Sequence, residues 1–403
     1  MNFYSIFVNK KMISANRTLI HQVKVYLEKY PILAITGPRQ AGKTTFLKTT
    51  FPNYQYITLE NPDVRSFAME DPKAFLRQFD GNVIFDEVQR VPQLFPYLQT
   101  IVDENRKMGE YILSGSQNFQ LMENITQSLA GRVGIFRLFP FDISELKNID
   151  WLKDTLSEQL YYGFYPAIYD RDIAPSKYFS DYLETYVHRD IRSLQNIHDM
   201  DAFNRLIRIC ASHAGQLVNY NEFSKLVGVS HTTIRQWISL LKTSYIIFEL
   251  PPYYNNFNKR IVKSPKLYFY DTGLLCRLLN LKQEQLNPLF PAWGAIFENM
   301  VVAECMKQNA HLNLNFDFYF WRDSNGKEVD LLFKNGNKFN LIEIKASQTI
   351  KSGVFKNLDY VSNLIGDKST KKTLVYGGEA NQKRTNYHVF AWKSISDFFS
   401  DGE

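Results

Sequence analysis

The sequence has little cysteine and lacks any apolar run long enough to cross a membrane. Its 403 residues include three cysteines, which are isolated and form no CxxC pair: Cys210, Cys276 and Cys305. A zinc knuckle or a disulfide framework is therefore not expected, and we predict that the three thiols are buried in a reducing cytoplasm. No run of about 18 or more apolar residues occurs, so no transmembrane helix is predicted.

The composition is that of a globular, mildly basic chain. Apolar residues make up 45% of it and aromatic residues 15%, which excludes an intrinsically disordered protein. The net charge of +6 is compatible with binding to nucleic acid, although proteins of many other functions have similar values. Residues 1–12 place two lysines after a short apolar stretch. This is the wrong order for a signal peptide, so a cytoplasmic location is expected.

Strand-like and helical segments alternate over the first 150 residues. The apolar strand candidates are residues 32–35, 54–59, 82–85, 111–113 and 135–138. Alternation with helices predicts a parallel sheet with helices packed on both of its faces. A mostly helical region follows, and then a mixed α/β region. We therefore predict three domains, which are residues 1–150, 151–260 and 261–403.

A glycine-containing loop directly follows the first predicted strand and precedes a helix. It fits the pattern GxxxxGK[ST] at every position, with the residues Gly37, Pro38, Arg39, Gln40, Ala41, Gly42, Lys43 and Thr44, followed by Thr45. Glycines let successive backbone N–H groups point at phosphate oxygens, and the helix adds its positive N-terminal end. Lys43 is expected to reach the β- and γ-phosphates, and Thr44 to hold Mg²⁺. The loop predicts binding of a nucleoside triphosphate, ATP above all, with a purely structural glycine turn as the alternative.

Two carboxylates stand at the end of the third predicted strand. Asp86 and Glu87 directly follow the apolar residues 83–85. Asp86 is predicted to hold Mg²⁺, directly or through water, and Glu87 to polarise the attacking water as a general base. The alternative is a pair of solvated acids. Because the loop and the two acids occur in the proper order, they predict an ATP-hydrolysing site with Mg²⁺ as its cofactor.

Two serines and three arginines are further candidates for this site. Ser114 and Ser116 end the fourth predicted strand, where a polar side chain can contact the γ-phosphate or water, and Ser116 is equally well placed to cap a helix. Arg132 is favoured as the arginine that stabilises charge on the phosphate, with Arg39 and Arg137 as rivals. An ordinary surface arginine is the alternative for each. Whether the arginine acts within its own chain or across a subunit interface, which requires an oligomer, stays open.

The middle of the chain has the pattern of a helix-turn-helix. Asn221 is predicted to cap a short helix, Gly228 to form a turn, and Ser230 to cap a second helix, after which a strand follows. The exposed positions of the second helix are predicted to be His231, Thr232, Arg235 and Gln236. These side chains fit contact with DNA, and protein contact alone is an equally weighted alternative.

The C-terminal region places acidic residues and a lysine in a nuclease-like order. Glu298 lies on a predicted helix, Asp330 on a strand, and Glu343 and Lys345 on the next strand. Residues two apart on a strand face the same side, so Glu343 and Lys345 project together. Two carboxylates can hold Mg²⁺ while the lysine steadies the attacking water. The alternative is alternating charge on an outer strand face. A nuclease-like fold is predicted, and cleavage is a separate hypothesis, because such folds also serve as binding modules.

From about residue 16 to residue 395, the chain resembles prokaryotic ATP-binding proteins with an N-terminal AAA-type P-loop domain and a C-terminal domain of unassigned function. The matching segments are residues 36–45, 85–92, 114–118, 128–132, 264–266, 270–273, 297–299, 328–330 and 343–345. The resemblance implies an AAA-type parallel-sheet ATPase domain, a helical region with a winged helix, and a C-terminal α/β domain similar to PD-(D/E)XK nucleases. It implies that Lys43, Thr44, Asp86 and Glu87 form the ATPase site, and it places Arg132 on a Gly-Arg motif.

Three functions are compatible with these patterns. The leading hypothesis is an ATPase whose nucleotide state controls the other two domains and which acts with DNA. The second is an ATP-gated regulator of protein partners without nuclease activity. The third is an ATP-regulated, metal-dependent nuclease.

Overall fold

The computed structural model describes residues 17–116, 127–186, 199–254, 263–366 and 370–399, together with Leu121, Ile125 and Ile197. The segment on which the signal-peptide prediction rests lies outside these residues, as do residues 117 and 118 of the family motif. Contacts divide the chain into two compact units. The first consists of Met1–Phe141, Glu145–Trp151 and Pro166–Asp172, and the second of Asp142–Ser144, Leu152–Tyr165 and Ile173–Glu403. The predicted domain boundaries at residues 150 and 260 stay predictions.

Helices and strands alternate in the described N-terminal part, and a second sheet closes the chain. The α-helices are α1 (Leu19–Leu27), α2 (Lys43–Thr50), α3 (Pro62–Glu70), α4 (Pro72–Leu76), α5 (Leu94–Asn105), α6 (Ile143–Asn148), α7 (Leu156–Tyr162), α8 (Pro166–Asp170), α9 (Pro175–Tyr182), α10 (Met200–Ser212), α11 (Tyr220–Val227), α12 (His231–Thr243), α13 (Thr272–Leu278), α14 (Trp293–His311) and α15 (Lys356–Ile365). The strands are β1 (Ile32–Thr36), β2 (Gln55–Thr58), β3 (Val83–Asp86), β4 (Tyr111–Gly115), β5 (Val133–Arg137), β6 (Ile247–Leu250), β7 (Lys266–Phe269), β8 (Tyr319–Arg322), β9 (Glu328–Asn335), β10 (Lys338–Lys345), β11 (Thr370–Tyr376), β12 (Gln382–Lys383) and β13 (His388–Ala391). None of the described helices is both long and apolar enough to span a lipid bilayer.

The first unit is built on a five-stranded parallel sheet in the order β2-β3-β4-β1-β5. Alternate residues of β1 point to opposite faces. Leu33 and Ile35 pack in one apolar cluster with residues of α1 and α2, while Ile32 and Ala34 pack in another with residues of α5. Burial on both faces explains why β1 is apolar throughout rather than alternating. The prediction of a parallel sheet covered on both faces is confirmed.

The second unit contains helices, a two-stranded pair and a six-stranded sheet. Strands β6 and β7 are antiparallel, and the larger sheet has the order β12-β13-β11-β10-β9-β8. Within it, β8, β9 and β10 are antiparallel neighbours, whereas β11 runs parallel to both β10 and β13. The three cysteines are buried and free, as predicted.

Helix α14 is joined to β7 by a buried amide. The Asn299 side chain accepts a hydrogen bond from the Phe269 backbone N–H at 2.7 Å and donates one to the Phe269 carbonyl at 2.9 Å. Asn299 is fully buried, so both bonds form where water cannot replace them. The side chain therefore fixes the position of β7 relative to α14.

Two helix starts bear on the predicted helix-turn-helix. Helix α11 is capped by Asn219, whose side chain accepts from the Glu222 N–H at 3.2 Å, so the prediction that Asn221 is the cap is wrong. The cap precedes the first helical residue, and Asn221 is already inside the first turn. Gly228 ends this helix with a left-handed backbone, and Ser230 caps α12 as predicted.

We predict that replacing Gly37 by a residue with a side chain lowers the stability of the first unit. Its φ is +147°, and a Cβ atom added there would lie 2.1 Å from the Leu138 carbonyl oxygen. We expect Gly37→Ala to lower the free energy of unfolding by roughly 1–3 kcal/mol, the usual cost of a strained backbone position. Urea unfolding measures this. The matched control is Gly294→Ala in α14, where an added Cβ meets nothing within 4 Å. An unchanged free energy of unfolding for Gly37→Ala would contradict the prediction that position 37 requires glycine.

Candidate functional site

The residues predicted to handle nucleotide meet at one edge of the parallel sheet. Strand β1 leads into the glycine loop, β3 ends at Asp86, and β4 ends at Gly115. Asp86 is in register with Ser114, and Thr36 with Gly115. Because parallel strands have their carboxyl ends at the same edge, the loop, the acids and the serines lie together.

The loop is shaped by positive φ angles and closed by Lys43. Gly37, Gln40 and Gly42 all have positive φ. The Lys43 ammonium donates hydrogen bonds to the carbonyl oxygens of Gly37 at 2.9 Å and Pro38 at 2.8 Å. Burial lowers the pKa of Lys43 to about 8, against the opposing effect of the Glu87 and Asp86 carboxylates. A buried ammonium surrounded by loop backbone is suited to receiving an anion.

Asp86 is held by three hydroxyl groups. The Thr44 hydroxyl donates to Asp86 Oδ2 at 3.1 Å. The Tyr56 hydroxyl donates to the same oxygen, and the Ser114 hydroxyl donates to Oδ1. Tyr56 is a site residue that the sequence analysis missed. The sequence analysis predicted the strand that contains Tyr56. The sequence pattern does not indicate that this strand lies beside β3, which carries Asp86.

Glu87 is oriented by two neutral donors. Its backbone is left-handed, with φ of +55°, which turns the side chain out of the strand direction. Ser116 donates to Glu87 Oε2 at 3.1 Å, and the buried Gln89 amide donates to the same oxygen. Gln89 lies so close to Gly115 that a Cβ atom there would be 2.2 Å from Gln89 Oε1. Gln89 was also missed, although it belongs to the family segment 85–92.

Thr44 and Asp86 fit a magnesium ion by the chemistry of their donors. Mg²⁺ takes oxygen ligands, and usually one or two carboxylates together with phosphate oxygens and water. The Thr44 hydroxyl and the Asp86 carboxylate already lie within hydrogen-bond distance of each other at the mouth of the loop.

The three candidate arginines lie at different ends of the sheet. Arg132 precedes β5, and the next residue, Val133, is in register with Ile32, at the amino edge. A five-residue strand spans about 16 Å, so Arg132 does not reach the glycine loop of its own chain. It forms an exposed ion pair with Asp103, at 2.6 Å. Arg137 and Arg39 are at the carboxyl edge, where Arg137 is in register with Thr36.

The C-terminal residues predicted to form a nuclease-like group are also brought together. The Lys345 ammonium lies 2.6 Å from Glu343 Oε1 and 3.6 Å from Asp330 Oδ2. Carboxylate oxygens of Glu298, Asp330 and Glu328 lie within 4.8 Å of one another. Burial first, and then the Asp330 charge, raise the pKa of Glu343 to about 8, and the same two causes raise the pKa of Glu298.

Lys266 is a charged residue of this group that the sequence analysis did not assign. Its ammonium lies 2.9 Å from Glu298 Oε1 and also contacts Glu328 Oε1. Burial acts to lower the pKa of Lys266, but the surrounding carboxylates outweigh it and raise that pKa. The segment Ser264-Pro265-Lys266 among the family motifs was the available signal.

The exposed face of α12 is braced by an aromatic residue. The Arg235 guanidinium lies 5.1 Å from the centre of the Tyr220 ring, and the His231 ring contacts the same ring in a T-shaped arrangement. The Tyr220 hydroxyl donates to Glu249 on β6 at 2.6 Å. The predicted exposed positions Thr232 and Gln236 are exposed, and His231 is half-buried.

Three protein-family models match successive parts of this chain. A model of the AAA domain matches residues 29–147, which contain both the glycine loop and the acid pair. Residues 29–147 are an AAA-type P-loop ATPase domain. Two models of domains of unknown function match residues 153–285 (DUF8612) and 293–395 (DUF4143).

Full-length relatives carry no functional description. An uncharacterized protein of Mycobacterium tuberculosis is 29% identical over 375 residues, which cover 91% of this chain and 81% of that protein. An uncharacterized protein of Haemophilus influenzae is 21% identical over 406 residues, covering 92% of this chain and 95% of that protein.

Among solved structures, similarity is distant. A Walker-type ATPase of Pyrococcus abyssi covers 65% of this chain and 94% of its own, with a TM-score of 0.43 and 14% identity. A Holliday junction branch migration motor of Thermotoga maritima covers 58% of this chain and 89% of its own, with a TM-score of 0.29 and 18% identity.

Nucleotide binding is predicted to take up a proton near pH 8. In the protein without bound nucleotide, Lys43 has a pKa of about 8. Above that pH, Lys43 is deprotonated in most molecules. A bound phosphate favours the charged ammonium, so these molecules take up a proton when nucleotide binds. With a non-hydrolysable ATP analogue, we expect uptake of about three-quarters of a proton at pH 8.5 and about a tenth at pH 7. Calorimetry in buffers of different ionisation enthalpy measures this, and equal uptake at both pH values would contradict it.

Proposed function

We propose that this protein is an ATP-hydrolysing switch in which the nucleotide state of the AAA-type domain controls the C-terminal part of the chain. One observation supports the hydrolysis most directly. Asp86 and Glu87 lie at the same sheet edge as Lys43. Asp86 accepts a hydrogen bond from Thr44, and Glu87 accepts one from Ser116. Binding, metal-holding and base functions thus have separate side chains at one place.

Each residue has a distinct part in the proposed reaction. Lys43 and the backbone N–H groups of residues 37–44 hold the phosphates. Thr44 and Asp86 hold Mg²⁺, which neutralises charge on the β- and γ-phosphates when bound. Glu87 accepts a proton from the attacking water. Gln89 and Ser116 both occupy Oε2 of Glu87, which leaves Oε1 to face the water.

An arginine that stabilises the phosphate charge is proposed to come from a neighbouring subunit. Arg132 is at the amino edge of its own sheet, so the intramolecular alternative is not supported for this residue. Its guanidinium is half-exposed and paired with the exposed Asp103, so it can be transferred to another partner at little cost. This role requires an oligomer. Arg137 and Arg39, at the carboxyl edge, are the candidates within one chain.

Two substitutions separate binding from hydrolysis. Lys43→Ala is expected to weaken ATP binding by roughly 100-fold, since charge-assisted bonds are worth about 1.5–3 kcal/mol each. Glu87→Gln is expected to leave ATP binding intact and to slow turnover by roughly 10²–10⁴-fold. Equilibrium binding and steady-state phosphate release measure the two effects. The control is Glu104→Gln, the same change at an exposed position on α5. Turnover at the control rate in Glu87→Gln would exclude Glu87 as the base.

The partner of the switch is proposed to be DNA. Helices α11 and α12, the turn at Gly228 and the antiparallel pair β6–β7 follow one another in the order of a winged helix. Arg235 and Gln236 are exposed on α12, and Tyr220 holds Arg235 in place by cation–π contact. The net charge of +6 supports contact with phosphates. The C-terminal sheet carries Asp330, Glu343 and Lys345 side by side, as the resemblance to PD-(D/E)XK nucleases requires.

DNA binding should be salt-dependent and should involve Arg235. We expect log K to fall linearly with log salt, and Arg235→Ala to weaken binding and reduce that slope by about one. Fluorescence anisotropy of labelled duplex, single-stranded and branched DNA measures this. Arg208→Ala, an exposed arginine on α10, is the matched control. No binding to any of the three at low salt would exclude DNA and favour a protein partner.

A further inference from the structure

A buried lysine lies in a group of carboxylates that includes Asp330, one of the predicted metal ligands of the nuclease-like site. The Lys266 side chain is 4% exposed, and its ammonium lies 2.9 Å from Glu298 Oε1 while also contacting Glu328 Oε1. Carboxylate oxygens of these two residues and of Asp330 are within 4.8 Å of one another. The cation that contacts Glu298 and Glu328 is therefore part of the chain itself, and the Lys345 ammonium lies 3.6 Å from Asp330 Oδ2.

Several oxygen atoms of the group have further partners, whereas Glu343 Oε2 is buried without a hydrogen-bond partner. The Tyr268 hydroxyl donates to Glu298 Oε1 at 2.6 Å, and the Ile344 N–H donates to Asp330 Oδ2 at 2.7 Å. Arg322 pairs with Glu328 Oε2 at 3.4 Å. Thus each carboxylate that would bind a metal already has a partner on at least one oxygen.

The charges of the group nearly balance without an ion. In the described part of the chain, the carboxylates are Glu298, Glu328, Asp330 and Glu343, and their cationic partners are Lys266, Lys345 and Arg322. Four carboxylates against three cationic groups leave at most a single negative charge. A divalent ion would leave an excess of positive charge in a largely buried place, where such an excess is costly.

Geometry opposes simultaneous occupancy. A magnesium ion binds oxygen at about 2.1 Å. Because the ammonium is 2.9 Å from Glu298 Oε1 and also contacts Glu328 Oε1, an ion on the same oxygens would compete with the ammonium for them and be repelled by it. Strand β7, which carries Lys266, is held against α14 by the two hydrogen bonds between Asn299 and Phe269, and the Lys266 side chain is only 4% exposed.

We propose that Lys266 is the resident cation of this carboxylate group, in the place that a divalent metal takes in a nuclease, and that the C-terminal domain is a binding module without metal-dependent cleavage. Two motifs of the sequence analysis then contribute to the same contact between β7 and α14. The segment ending in Lys266 supplies the cation, while the Phe297-Glu298-Asn299 segment supplies both its carboxylate and the amide that fixes β7. The inference is independent of the ATPase site.

Counting bound Mn²⁺ by electron paramagnetic resonance tests the proposal. The full chain carries Asp86→Asn throughout, so that an ion at the nucleotide loop is not counted. This reference protein should bind no Mn²⁺ that depends on Asp330, and it should not cleave branched, single-stranded or duplex DNA with Mn²⁺ or Mg²⁺. Lys266→Met, which removes the ammonium but keeps the length of the side chain, should gain one Mn²⁺ per chain. Adding Asp330→Asn should remove that ion again.

Two results would overturn the proposal. One is Mn²⁺ bound to the reference protein and lost on Asp330→Asn, which would show that the metal and Lys266 coexist. The other is a folded Lys266→Met chain that gains no ion. If Lys266→Met does not fold, Lys266→Gln serves in its place, and the reference protein by itself still decides the first result. Neither result bears on the assignment of the ATPase site, which is tested separately in the chain that keeps Asp86.

Discussion

Parallel alignment of five strands is the constraint on which the nucleotide site depends. Loops that follow β1, β3 and β4 open at one edge because all three strands run in the same direction. Residues more than 70 positions apart in sequence, such as Lys43 and Ser116, become neighbours there without any special contact to draw them together. The same constraint carries Arg132 to the far edge, since it precedes its strand whereas the loop follows another. A residue's place before or after a strand thus decides which edge it can serve.

The acidic pair Asp86 and Glu87 and the group of C-terminal carboxylates differ in the partners that hold them. Asp86 and Glu87 receive hydrogen bonds from neutral groups, the hydroxyls of Thr44, Tyr56, Ser114 and Ser116 and the amide of Gln89. Neutral donors orient a carboxylate but leave its charge in place, so the pair can still attract a cation. The C-terminal carboxylates are instead paired with lysine and arginine side chains. Burial of several carboxylates at one point requires such compensation in a medium of low dielectric constant. As a consequence, Asp86 and Glu87 can still attract a cation, whereas the charge of the C-terminal carboxylates is largely neutralised by side chains of the protein.

Local fixation by buried amides recurs in both places. Gln89 reaches Glu87 through a space that exists only because residue 115 is glycine. Asn299 joins β7 to α14 through the backbone of Phe269. Each amide donates and, in Asn299, also accepts, so that a short side chain defines the position of a backbone or a carboxylate. Such residues do not take part in chemistry themselves, which is why a search for nucleophiles, acids and bases passes over them.

The sequence by itself predicted the glycine loop, the parallel sheet covered by helices on both faces, and the placing of Glu343 and Lys345 on the same side of one strand. These are local properties: a loop pattern, an apolar run ended by acids, and a spacing of two on a strand. Strands β11, β12 and β13 were not predicted; β11 begins with polar residues and β12 has only two residues. Tyr56, Gln89 and Lys266 also depend on tertiary structure, since each acts on a carboxylate of another segment. Only the folded chain decided that Arg132 lies at the amino edge and that an ammonium lies among the C-terminal carboxylates. Spacing along a chain fixes which side chains share a strand, whereas burial and strand order fix which charges meet.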